Sequence, residues 1–200
     1  SRCYTSFGYD AAGNVTSVDQ PGAGSNRLVT TATYDALDRV TQIVRPDETL
    51  DYSYNDGQSG QAWHGVTITI TRPSKPTLTI SRRFDALERL IDETIGTVAT
   101  SYEYDAASNL TDVYLTLSGG TRTSILHYAY DNRNRCTSIQ DVRADRTAIL
   151  EYDAANQLTQ ITYPSGITKE FTRGLSGELT DIVYKLGNGS TLRSLHYSYD

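Results

Sequence analysis

The sequence predicts an all-β fold made of repeated antiparallel hairpins. Three observations carry that expectation. A unit opening on Tyr-Asp recurs along the chain. Between openings, Thr, Tyr, Ile and Val alternate with period two, as on a pleated surface. Turn residues stand at fixed offsets after each opening.

The units run in order. Tyr9-Asp10-Ala11-Ala12-Gly13-Asn14-Val15-Thr16-Ser17-Val18 sets the pattern, and Tyr34-Asp35-Ala36-Leu37-Asp38-Arg39-Val40-Thr41-Gln42-Ile43 repeats it. Further copies open at Phe84-Asp85, Tyr104-Asp105, Tyr130-Asp131 and Tyr152-Asp153, and Tyr199-Asp200 closes the chain. Two copies are degenerate: Tyr54-Asn55-Asp56, and Arg173-Gly174 ahead of Gly177-Glu178-Leu179-Thr180-Asp181-Ile182. Starts near residues 9, 34, 54, 84, 104, 130, 152, 173 and 199 define one array over 1–200.

Turn chemistry fixes the hairpins. The Asp of each pair accepts from backbone two residues on, in an Asx-turn. Gly13, and Asp38, Ser108, Asn134 and Asn156 in other copies, hold the position that needs unusual backbone angles. A second, looser turn follows each unit. Pro21, Pro46 and Pro164 each fall twelve residues after their Tyr, and Gly166 completes Pro164-Ser165-Gly166. Between turns, strands such as Val66-Thr67-Ile68-Thr69-Ile70 alternate cleanly. The least repetitive stretch, residues 56–76, holds Trp63 and Arg72-Pro73-Ser74-Lys75-Pro76, and is expected to be an insertion loop. Phe84 to Glu93 has local helix propensity with Asp85 as a cap. The in-register copies outweigh it.

Composition narrows function. The chain has 200 residues, a net charge of −6, 38% hydrophobic residues and a mean hydropathy of −0.46. The acidic balance opposes a nucleic-acid partner, and no apolar run is long enough for a transmembrane segment. Cys3 and Cys136 match neither metal spacing nor a disulfide framework. The absence of Met points to an internal or processed piece of a longer array. A single unit has no partner for its apolar surface, so units must stack edge to edge.

No catalytic constellation stands out. His127 and His196 each precede a repeat Tyr by three residues, and His64 follows Trp63. They share neither helix nor Cys partner, so no zinc site is expected. The repeat Asp residues lack a calcium β-roll pattern. The repeat Tyr residues read as cross-strand packing ahead of a sugar platform. No catalytic, cofactor-binding or metal-ligating residues are therefore expected.

The unit, Tyr-Asp-x-x-Gly/Asn-x-Leu/Val-Thr-x-Ile with Pro-x-Gly after it, resembles the YD repeat of the Rhs family. That family spans bacterial Rhs polymorphic toxins, insecticidal toxin-complex B and C subunits, wall-associated proteins and teneurins. The resemblance implies a β-sheet strip spiralling into a hollow shell. It further implies a non-catalytic wall that encloses a C-terminal toxin domain in a secreted or cell-surface bacterial protein. The partners implied are the rest of the parent chain and the enclosed domain, with secretion machinery or a carbohydrate surface beyond them. The alternative is a cell-surface adhesion or carbohydrate-binding repeat module. The family's self-cleaving Asp-Pro motif has no counterpart here, since the sequence contains no Asp-Pro pair.

Overall fold

A computed structural model describes residues 4–22, 26–57 and 61–199. It contains strands and no helix among the described residues. The chain divides into two compact units: residues 1–101 with 116–120, and residues 102–115 with 121–200. Cys3 and Asp200 lie outside the described residues.

The first unit is a meander of β1 (Ser6–Tyr9), β2 (Val15–Pro21), β3 (Arg27–Tyr34), β4 (Val40–Val44), β5 (Thr49–Asn55), β6 (Trp63–Thr71), β7 (Leu78–Asp85), β8 (Leu90–Ile95) and β9 (Val98–Tyr104). The second holds β10 (Leu110–Leu117), β11 (Thr123–Tyr130), β12 (Cys136–Asp141), β13 (Arg146–Tyr152), β14 (Leu158–Thr162), β15 (Thr168–Arg173), β16 (Leu179–Lys185) and β17 (Thr191–His196). The division between units falls within β9 and β10. Inside each unit, every strand pairs antiparallel with the next in sequence.

Residues directly opposite one another share a face. In the first unit one face carries the ladders Ile43–Leu50–Ile70–Leu78 and Tyr52–Ile68–Ile80–Ile95–Val98. The other carries Gln42–Asp51–Thr69–Thr79 and Ser53–Thr67–Ser81–Thr94. The second unit repeats the division. Tyr128–Ile139–Ala148, Leu150–Ile161 and Phe171–Ile182–Leu195 stand on one face. Asp112–His127–Gln140–Thr147 and Thr172–Asp181–His196 stand on the other.

Among the described residues, neither unit folds a second layer over its apolar face. Among the described residues only Val113 and Ile182 are buried, at 6% and 8% exposure. Both stand nine residues after a repeat opening, in one column with Val18, Ile43, Ile139 and Ile161. The chain exposes 13,077 Å². Two separate compact domains, each of half its mass, would expose about 11,000 Å².

The insertion loop that low repetition suggested for residues 56–76 is interrupted by a strand. Trp63–Thr71 is a strand paired on both sides, to β5 and β7. The Val-Thr-Ile-Thr-Ile alternation overrides the missing Tyr-Asp opening, because it matches apolar and polar neighbours on both flanking strands. Hydrogen exchange checks the difference. Amides from Val66 to Ile70 should be protected as strongly as those of β5 and β7, with Arg72 to Lys75 exchanging fast. Uniformly fast exchange from 63 to 76 would restore a projecting loop.

Candidate functional site

The repeated feature of the fold is the Tyr-Asp hairpin. Gly13 donates its N–H to the Asp10 carbonyl at 3.2 Å, and Asp10 donates to the Asn14 carbonyl at 3.0 Å. The same pair of bonds recurs at Asp35, Asp85, Asp105, Asp131, Asp153 and Gly174. This is a tight turn followed by a left-handed residue forming a bulge. The left-handed residue is always four after the opening: Gly13, Asp38, Glu88, Ser108, Asn134, Asn156 and Gly177, with φ between 59° and 90°. The hairpin at Phe84 obeys it too. Its helix propensity loses to this turn, and β8 starts at Leu90.

Each repeat aspartate is a cap. One oxygen of Asp131 accepts the N–H groups of Arg133 at 2.8 Å and Arg135 at 3.0 Å. Asp10, Asp35, Asp85, Asp105 and Asp153 do the same two and four residues on. The second oxygen takes a side-chain donor five residues after the opening: Asn14, Arg39, Arg89, Asn109 or Arg135. That donor also reaches forward to the next hairpin. Asn14 bonds Asp38, Asn109 bonds Asn134, and Arg135 bonds Asn156 and the Asp153 carbonyl. Arg39 pairs with Asp56 in the same way.

The tyrosines are latches. Tyr34 donates its hydroxyl to the Val15 carbonyl at 2.8 Å, Tyr54 to Val40 at 2.9 Å, Tyr130 to Leu110 at 2.9 Å, Tyr152 to Cys136 at 2.9 Å and Tyr199 to Leu179 at 2.9 Å. Every acceptor is the first strand residue after the preceding hairpin. Arg39 and Arg135 lie over the next latch ring, 4.2 and 4.7 Å from its centre. Burial pushes the phenols of Tyr54, Tyr130 and Tyr152 above their ordinary value, so each remains a donor. Phe84 lacks the hydroxyl and instead stacks on His64, with ring centres 5.6 Å apart. Tyr104 ends β9, and Tyr9 is largely exposed.

The looser turns vary more. Pro46 and Pro164 stand in turns, whereas Pro21 is the last residue of β2. Gly166 adopts φ 79° and donates to the Tyr163 carbonyl at 2.9 Å. His127 and His196 bridge Asp112 and Asp181 across adjacent strands at 2.8 Å, and His64 meets Glu88 at 3.0 Å. No group of three metal-ligating side chains gathers among the described residues. The latch bond and the donor at the sixth position are what sequence reading missed. The donor was visible as an Asn, Arg or Gln in every intact copy.

One hairpin inverts the scheme. At Arg173-Gly174 the aspartate is absent, and Glu178 supplies a carboxylate from the donor position. A Cβ on Gly174 would collide with that carboxylate. Glu178 thus fills the space an aspartate takes elsewhere. Arg173 Nε and Glu178 Oε2 are enclosed without hydrogen-bond partners.

Residues 9–50 match the RHS Repeat family. No curated protein matches this chain. Among solved structures, the crystal structure of TcdB2-TccC3-Cdc42 matches 94% of this chain and 11% of its own, with a TM-score of 0.72 and 17% identity. TcdB2-TccC3 matches 94% and 12%, with the same score and identity. The likeness is one of fold, and this chain spans about a tenth of those longer ones. The hairpin array therefore has a known β architecture.

Two measurements probe the hairpin. Removing the latch hydroxyl in Tyr130→Phe or Tyr152→Phe leaves a strand-opening carbonyl unpaired. Each should lower unfolding free energy by about 1 kcal/mol in urea melts. Tyr197→Phe, whose hydroxyl bonds no described residue, is the control. Equal melts for all three would remove the latch from the stability argument.

The second is acid. Asp10 and Asp35 are held below 3.8 first by the N–H groups of Asn14 and Arg39, and Asp85 and Asp131 first by their arginine side chains. A carboxylate with a depressed folded value stabilises fully above its unfolded value and loses that effect as pH falls through the folded one. The urea midpoint should therefore fall as pH drops below 3.8, and the fall should be shallower in Asp131→Asn. An unchanged acid limb in the variant would remove Asp131 from it.

Proposed function

We propose that this chain is a wall segment of an Rhs-type shell that encloses a C-terminal toxin domain within a secreted bacterial toxin. Its work is mechanical, and its partners are the rest of its parent chain and the enclosed domain. The observation that carries this reading is the uncovered apolar face. A sheet one layer thick, with Ile and Leu ladders on one side and Thr, Ser and Asp on the other, is half of a packed structure. An enclosing wall supplies the other half by turning that face inward, where it meets cargo instead of water. The polar face then meets solvent. The fold match to TcdB2-TccC3 supports the same assignment.

Latched hairpins suit the role. The hairpins at Tyr34, Tyr54, Tyr130 and Tyr152 are each tied to the predecessor by a hydroxyl bond and a side-chain donor, so a wall can be extended unit by unit without a central core.

The test is protection. A specific protease site is placed in the segment that follows the repeats in the complete gene product. Enclosure predicts resistance in the native protein and prompt cutting after unfolding in urea. Cutting at the same rate in both states would overturn the reading.

A further inference from the structure

The apolar faces of the two units differ in charge. In the first unit the register puts Arg82 and Glu93 on that face, in the row Tyr54–Val66–Arg82–Glu93–Thr100. They neutralise each other at 2.7 Å. Among the described residues of β2 to β8, no other Asp, Glu, Lys or Arg shares the face with the Ile and Leu ladders. In the second unit, Asp141 and Arg146 stand opposite each other on the apolar face. The row Ile161–Lys169–Tyr184–Arg193 then adds two cations with no carboxylate in it. The first face is neutral, and the second is cationic.

Area matters as much as charge. The 13,077 Å² exposed, less about 11,000 Å² for two compact domains, leaves about 2,000 Å² in excess. The two units are similar in length, so about 1,000 Å² of that falls to each. A stable interface between two proteins buries about 800 Å² on each partner. One uncovered face is therefore enough to hold a partner.

We infer that the first unit's apolar face docks on the same face of a second copy of this chain, giving a symmetric dimer. In such a dimer each copy offers the patch that the other covers, so the face must tolerate itself. The first unit's face does, because its charges are already paired and its ladders are Ile, Leu, Val and Tyr. Two sheets laid face to face about 10 Å apart interdigitate those side chains and complete the missing layer. The second unit's face does not, because a copy of itself would set Lys169 and Arg193 against the same cations. The inference uses the face on which enclosure was argued. It goes beyond that reading by naming the partner the face takes when the chain stands alone.

Sedimentation velocity on the full 200-residue chain tests it. Over the micromolar range the chain should run as a dimer of 22.1 kDa subunits. Ile95 and Val98 pair with each other on the docking face and are 44% and 40% exposed, so a charge there is tolerated in the monomer. Ile95→Lys and Val98→Glu enter the interface twice and should each weaken dimerisation at least about tenfold. Val29→Lys is the control: it is 45% exposed in the same unit, but it stands opposite Asp19 on the polar face, and it should dimerise as the parent does. Circular dichroism confirms the fold of each variant. A monomeric parent chain, assembly beyond the dimer, unchanged dimers in both face variants, or equal weakening by Val29→Lys would each overturn the inference. The assay needs no enclosed domain, so its failure leaves the protease test of enclosure standing.

Discussion

The tyrosine hydroxyl that reaches back to the first strand residue after the preceding hairpin is the constraint on which the array depends. A β-strand pair leaves the ends of its ladder open, and the bulge after each Asp cap opens it further. The latch fills that gap with a bond between units that are neighbours in space and about twenty residues apart in sequence. The ring then offers a face to the arginine of the previous hairpin, as at Tyr54 and Tyr152. Cap, latch and cation thus share one side chain each and tie three consecutive strands.

This arrangement explains how so thin a structure holds. Hydrophobic burial is spread over one face and, among the described residues, nearly complete only at Val113 and Ile182. Order comes instead from local bonds repeated at every hairpin. The apolar ladders still need a cover, and the polar ladders need none. The two faces are therefore unequal in what they ask of their surroundings, although the backbone treats them alike.

Much of this was legible in the residues. The Tyr-Asp openings, the Asx caps and the left-handed fifth position follow from spacing and turn chemistry. The division into apolar and polar faces was harder to read. Alternation within one strand says nothing about register against the next, and faces such as Ile43–Leu50–Ile70 emerge only from pairing. The strand at Trp63–Thr71 was legible in part. Val66 to Ile70 alternates cleanly, but without an opening pair its ends fell within the expected loop. The latch was invisible because its acceptors are backbone carbonyls, which carry no residue type.

The hairpin at Arg173 has an evolutionary consequence. In the other intact copies a carboxylate stands second and its donor sixth; here glycine stands second and the carboxylate sixth. Restoring aspartate at Gly174 alone would crowd two carboxylates into one space, and exchanging Glu178 alone would leave none. The second and sixth positions are thus coupled, and a change at one alters what the other must supply.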